Sequence, residues 1–129
     1  MTAVVLDSSA VIAALLGEPG HDVVEPALDD AVISAVNLCE VVGHFARRGA
    51  AETRIRAMLD QLKMERVALD EGLAYEAGLL FPLTRPAGLS LADRVCLALA
   101  RRLGLRAMTA DRAWRSVSAA IGVEIELIR

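Results

Sequence analysis

The sequence predicts a three-layer α/β/α domain around a central, mainly parallel sheet of about five strands. Three observations predict it. Short apolar segments alternate with helical patterns along the chain, and strands interleaved with helices imply crossover connections and a parallel sheet. The first segment, residues 3–6, is continuously apolar, as expected of a strand covered on both faces. Gly17, Pro19, Gly20, Gly49, Pro86, Gly88 and Gly104 fall where one segment gives way to the next.

In chain order, residues 3–6 form the first strand, and a helix follows at once over 8–16 before Gly17, Pro19 and Gly20 break it. A weaker helix over 21–28 precedes a short strand at 31–34, and a stronger helix spans 38–48 and stops at Gly49. Over 52–63 the apolar positions Ile55, Met58, Leu59 and Leu62 repeat at three and four, while Arg54, Arg56, Asp60 and Lys63 take the other side, so this helix is amphipathic. Residues 66–69 read as a third strand and 71–81 as a helix ending before Pro82. After a loop at Pro86 and Gly88, a helix over 91–103 is closed by Gly104, and strands follow at 106–109 and 123–128. No internal repeat, low-complexity tract or linker interrupts the pattern, so residues 1–129 form one domain with right-handed crossovers.

Composition narrows the function. The 129 residues are 55% hydrophobic and 24% charged, which excludes a disordered or fibrous chain. At this length roughly two-thirds of the unfolded surface can be buried, enough for a core without disulfides. The longest apolar runs fall short of the roughly 18 residues that cross a bilayer, and Asp7 interrupts what would be a signal-peptide core, so no membrane association is expected and the protein is expected in the cytoplasm. Cys39 and Cys96 lie in apolar helical patterns without metal-ligand spacing and read as buried, reduced thiols. A net charge of −3 argues against bulk electrostatic coating of nucleic acid, although all the cations except Lys63 are Arg, the residue suited to forked phosphate contact. With Phe45, Tyr75, Phe81 and Trp114 as the only aromatics, there is no stacking platform for single strands.

Four acids map to the carboxyl edge of the predicted sheet, where open parallel sheets bind ligands. Asp7 follows the first strand, Asp111 follows the strand at 106–109, and Glu40 and Asp93 sit in the first turns of two helices. Each has a local explanation. Asp7 and Asp111 read as N-caps, Asn37-Leu38-Cys39-Glu40 resembles a capping box led by Asn37, and Ser90-Leu91-Ala92-Asp93 has the same shape. Together the acids demand more, because two unit charges about 5 Å apart repel by roughly 3 kcal/mol at an effective dielectric near 20. That exceeds a cap's contribution of about 0.5–2 kcal/mol. If the four converge, a cation must lie between them or some must be protonated. Oxygen ligands without His or Cys select Mg2+ or Mn2+ over Zn2+, and a phosphate ester is the natural substrate. His21 and His44 have no Ser or Cys nucleophile with a second acid, and no phosphate-cradling glycine motif is present.

At these residues the sequence resembles the PIN-domain ribonucleases, and within them the VapC-type toxins of toxin–antitoxin pairs. The resemblance spans essentially the whole chain. It rests on Val4-Val5-Leu6-Asp7-Ser8-Ser9-Ala10, Asn37-Leu38-Cys39-Glu40-Val41, Leu89-Ser90-Leu91-Ala92-Asp93, and Met108-Thr109-Ala110-Asp111-Arg112-Ala113-Trp114. It implies that Asp7 and Asp93 are the principal metal ligands, that Glu40 and Asp111 complete a catalytic acidic pocket, and that Ser9 and Thr109 support it with hydroxyls. It further implies endonucleolytic cleavage of RNA with Mg2+ or Mn2+, neutralisation by a VapB-like antitoxin, and a homodimer. Arg85, Arg94, Arg112 and Arg115 are candidates for RNA phosphate contact, with surface ion pairing as the competing role, and the helix over 52–63 is a candidate antitoxin-binding element, with core packing as its competing role. The alternatives are another metal-dependent phosphoesterase or nuclease of related fold, and a non-catalytic PIN-like binding module.

Overall fold

The computed structural model describes residues 3–129. Its sheet has five strands, β1 (Val4–Leu6), β2 (Ala31–Ser34), β3 (Glu65–Val67), β4 (Arg106–Thr109) and β5 (Ile125–Leu127), in the order β3-β2-β1-β4-β5. Every pairing is parallel, so the mainly parallel sheet predicted from the sequence is parallel throughout. The chain moves from β1 outward through β2 to β3, then returns to the far side of β1 with β4. The switch point therefore lies between β1 and β4, the place where open α/β sheets bind ligands.

Strand side chains alternate between two apolar clusters. Val4 and Leu6 of β1 join Ala31, Ile33 and Met108 on one face, while Val5 joins Val32 and Ala107 on the other. The first face is covered by α1 (Ser8–Leu16), α3 (Ala35–Ala46) and α4 (Glu52–Asp60), through Ala10, Val11, Val41, Phe45, Ile55 and Leu59. The second is covered by α5 (Glu71–Leu79) and α7 (Leu91–Leu103), through Leu73, Ala77, Val95, Leu97 and Leu99, with Trp114 and Val117 from the 3-10 turn Arg112–Val117 and Ile121 from α8 (Ser118–Ile121). Three layers result. No helix among the described residues is long and apolar enough to cross a membrane.

The departures from the sequence reading have local causes. The third helix begins at Ala35, three residues before the expected 38, because Ser34 and not Asn37 is its N-cap: the Asn37 N–H donates to Ser34 Oγ at 3.0 Å. The expected helix over 21–28 is split into α2 (His21–Val24) and a 3-10 turn, Glu25–Asp30, with Pro26 in the first turn of the latter. Pro82 starts a helix and does not end one, since α6 (Phe81–Thr84) carries it in the first turn, where its missing N–H costs nothing. The third strand ends at Val67, short of 69, because the Asp70 carboxylate caps α5 by accepting from the Leu73 N–H at 2.7 Å. Cys39 is exposed, contrary to expectation, and only Cys96 is buried.

At the opposite end of the chain the tail is held close. Gly20 has a φ of +96°, and a Cβ there would collide with the Ile128 carbonyl. The Arg129 guanidinium donates to the Pro19 carbonyl at 2.8 Å.

Candidate active site at the carboxyl edge of the sheet

Of the five buried polar side chains among the described residues, Asp7, Ser34, Asn37 and Thr109 gather at the carboxyl ends of β1, β2 and β4. Burying polar groups costs free energy unless they are hydrogen-bonded, and here they bond to one another. The parallel register of Leu6 with Met108 brings Asp7 beside Thr109, and the Asp7 N–H donates to the Met108 carbonyl at 3.0 Å.

Asp7 is only 4% exposed. It stands at the N-cap of α1, yet its side chain makes no capping bond. Oδ2 accepts instead from the hydroxyls of Ser9 (2.7 Å) and Thr109 (2.8 Å), while Oδ1 faces the carboxamide of Asn37 at 3.4 Å. Burial pushes its carboxyl up from 3.8 to about 6; the two hydroxyls oppose the rise, and the charges of Asp93 and Glu40 add to it. The thiol of the buried Cys96 in α7 is pushed up by burial and then by the charges of Asp7, Asp93 and Glu40.

The other three acids are held differently. Glu40, exposed on α3, accepts from Ser8 Oγ at 2.9 Å and from Asn37 Nδ2 at 3.4 Å. Asp93, half-buried in α7, forms a capping box with Ser90, its Oδ2 accepting from the Ser90 N–H at 2.9 Å. Asp111 is exposed and caps the 3-10 turn Arg112–Val117, accepting from the Ala113 N–H at 3.0 Å. It is tied to the cluster through its backbone, since its N–H donates to Thr109 Oγ1 at 3.0 Å. The capping reading thus holds for Asp93 and Asp111 but not for the side chain of Asp7.

Residues 4–120 match the PIN domain. The chain belongs to the PIN domain family. Similar solved structures have the same fold. The DNA-bound VapBC structure from Salmonella typhimurium has a TM-score of 0.76 at 20% identity, with all of both chains covered. VapBC-5 from Mycobacterium tuberculosis has a TM-score of 0.64 at 26% identity, covering 98% of this chain and 99% of that one. FitAcB from Neisseria gonorrhoeae has a TM-score of 0.68 at 18% identity, covering 97% of each. No curated protein matches the sequence.

The donor set of this PIN domain fits a hard divalent cation. Asp93 and Glu40 both act electrostatically on Asp7, and none of the three is ion-paired to Arg or Lys among the described residues. No three His, Cys, Asp or Glu of the described residues form a ready-made cage. Mg2+ does not require one, because it commonly takes one or two carboxylates and completes its shell with water and substrate oxygens.

Sequence reasoning reduced Asn37 to a cap and passed over Ser34 and Ser8. The spacing Ser34-x-x-Asn37 was the available signal, since an N-cap Ser accepts from the backbone N–H three residues on. His44 is not brought to the acids. It meets Phe45 edge-on at 5.2 Å, its Nε2 is buried without a partner, and burial followed by Arg48 and Arg47 lowers its pKa. Arg94 is also committed elsewhere, lying 4.9 Å over the Phe81 ring and donating to the Leu89 carbonyl at 3.0 Å.

Proposed function

We propose that this PIN domain, acting as one domain over residues 1–129, is a Mg2+- or Mn2+-dependent endoribonuclease and the toxin of a type II toxin–antitoxin pair. The observation that carries the reading is Asp7: a buried carboxylate facing two more acids, with no cationic side chain to neutralise it. Such an arrangement costs folding free energy and is intelligible where a cation is used.

Asp7 and Asp93 would hold the cation, with Glu40 and Asp111 completing the pocket directly or through water. Ser9 and Thr109 take up the lone pairs of Asp7 Oδ2 and fix the carboxylate plane, which leaves Oδ1 to ligate. The cation supplies Lewis-acid activation of water and charge neutralisation at the phosphate. The N-termini of α3 and α7 favour ionised carboxylates and an approaching phosphate. Arg85, Arg112 and Arg115 are exposed, lack ion pairs among the described residues, and ride on two 3-10 turns, Arg85–Ala87 and Arg112–Val117, that pack together. They are suited to the RNA backbone by phosphate contact.

The partner reading is a VapB-like antitoxin, as the VapBC structures suggest, with the toxin working in the cytoplasm as a homodimer. A groove of about 460 Å³ runs between α3 and α4, floored by Leu38, Val42, Ile55 and Leu59. Its rim charges are spent on each other, Arg56 with Glu52 at 2.8 Å and Arg66 with Asp60 at 3.6 Å. A neutral apolar groove suits the apolar face of an amphipathic segment.

The test is incubation of metal-free protein with RNA, DNA and a small phosphate ester, with and without Mg2+ or Mn2+. Metal-stimulated cleavage of RNA that is lost in Asp7→Asn and Asp93→Asn is the expected result. Cleavage of DNA or the small ester alone would replace the substrate assignment, and no turnover of any substrate would make the protein a binding module.

A further inference from the structure

Asn37 is fully buried in the first turn of α3. A carboxamide there that served only to cap would turn back toward the Ser34 backbone. Instead its Nδ2 lies 3.4 Å from each of three acceptors on three different elements: Asp7 Oδ1 after β1, Glu40 Oε1 in α3, and the Ala92 carbonyl in α7, one residue before Asp93. Its Oδ1 accepts from Ser34 Oγ, the same atom that accepts from the Asn37 N–H. The Ser34 hydroxyl would suit either face of the amide, and it is the three acceptors around Nδ2 that settle which way it points. Turned over, the amide would set its oxygen against two carboxylate oxygens and a carbonyl, which accept only.

We propose that Asn37 is the positioning residue of the metal site: its carboxamide holds Asp7, Glu40 and the first turn of α7 in register, and so sets how tightly the carboxylates take a divalent cation. The inference rests on the metal-dependent reading above. A neutral donor suits this place for a physical reason. A Lys or Arg would bring a full positive charge and compete with the cation, and a carboxylate would add repulsion. An amide mutes the repulsion between Asp7 and Glu40 while leaving the net negative charge that a cation needs. Its two hydrogens are shared among three acceptors at 3.4 Å, so the amide links the three elements without using up the lone pairs of any one carboxylate. Ser34 keeps the amide in place.

The test compares native protein, Asn37→Ala and Asn37→Asp by Mn2+ titration calorimetry, by the Mn2+-induced shift in melting temperature, and by RNA cleavage kinetics. Loss of a group that orients metal ligands typically costs about 10–100-fold in affinity or activity. Asn37→Ala should therefore bind Mn2+ about 10–100-fold more weakly and lose kcat to a similar degree, with KM for RNA within about twofold. Asn37→Asp keeps the shape and the Ser34 bond but aims an anionic oxygen at two others, so its Mn2+-induced melting shift should exceed that of the native chain. It decides the matter alone if Asn37→Ala does not fold. Native-like Mn2+ affinity and kcat in Asn37→Ala, or equal melting shifts in Asn37→Asp and native protein, would overturn the inference while the nuclease reading stands. A native protein that neither binds Mn2+ nor cleaves RNA would overturn both.

Discussion

Helix α3 serves two regions that treat burial in opposite ways. Toward the carboxyl edge of the sheet it presents Asn37 and Glu40 to Asp7, a place where polar groups are buried against each other and one carboxyl is pushed up to about 6. Toward α4 it presents Leu38 and Val42 to a groove whose apolar floor is open and whose charges are paired at the rim. The first region gives up stability, which the proposed chemistry would use; the second leaves apolar area uncovered, as a surface awaiting a partner does. Each can be damaged without the other, and that separation is what experiment should exploit.

The largest expected effect is at the edge. Asp7→Asn should reduce metal-dependent cleavage by at least about 10³-fold, roughly 4 kcal/mol of transition-state stabilisation, and should at the same time stabilise the metal-free fold. The folded state raises the Asp7 pKa from 3.8 to about 6 and so binds its proton more tightly than the unfolded chain does. Stability is therefore full below about pH 3.8, falls as pH rises through the window to about 6, and is lower by on the order of 3 kcal/mol above it. Denaturant titrations across pH 3.5 to about 7 should show that slope in the native protein and not in Asp7→Asn; a parallel slope in both would refute the assignment.

Next in size, on the groove side, is Ile55→Ala. Ile55 is 4% exposed in the cluster beneath the groove, and its truncation should cost about 2–4 kcal/mol of unfolding free energy while cleavage per folded molecule is unchanged. Thr109→Val makes a smaller change at the edge. It removes the donor to Asp7 Oδ2 and the acceptor for the Asp111 N–H, and should lower cleavage about 10–100-fold with the fold retained. The smallest effect is at the groove surface, where Val42→Asp should weaken binding of the proposed antitoxin about tenfold, near 1.4 kcal/mol, and leave cleavage by the free protein as it was. Cleavage that falls with Val42→Asp, or antitoxin binding that ignores it, would merge or dissolve the two regions.

Much of the edge was legible in the sequence because it depends on chain position alone. Asp7 directly follows a continuously apolar strand, and Asp111 comes two residues after β4, so any parallel pairing of β1 with β4 brings both to one end. The Ser90–Asp93 spacing likewise specified a capping box that formed. What was not legible depended on competition between neighbours. Asn37 and Ser34 both qualify as caps, and only the length of β2 decides that Ser34 takes the role and frees the Asn37 side chain. Pro82 reads as a stop or a start equally well until Leu80 turns the chain into α6. Cys39 is exposed because it stands two residues from each of the buried Asn37 and Val41, on the opposite side of α3.

The sheet order has a further consequence for the growing polypeptide. β1 is made well before its partner β4 and the Thr109 hydroxyl that braces Asp7, which lie about a hundred residues downstream. A nascent chain cannot assemble the pocket until residue 109 has been synthesised and threaded beside the first strand, a slow, non-local closure. On the proposed nuclease reading, a cell that makes this protein meets its activity only after residue 109 is translated and paired, an interval in which the proposed antitoxin can already be waiting.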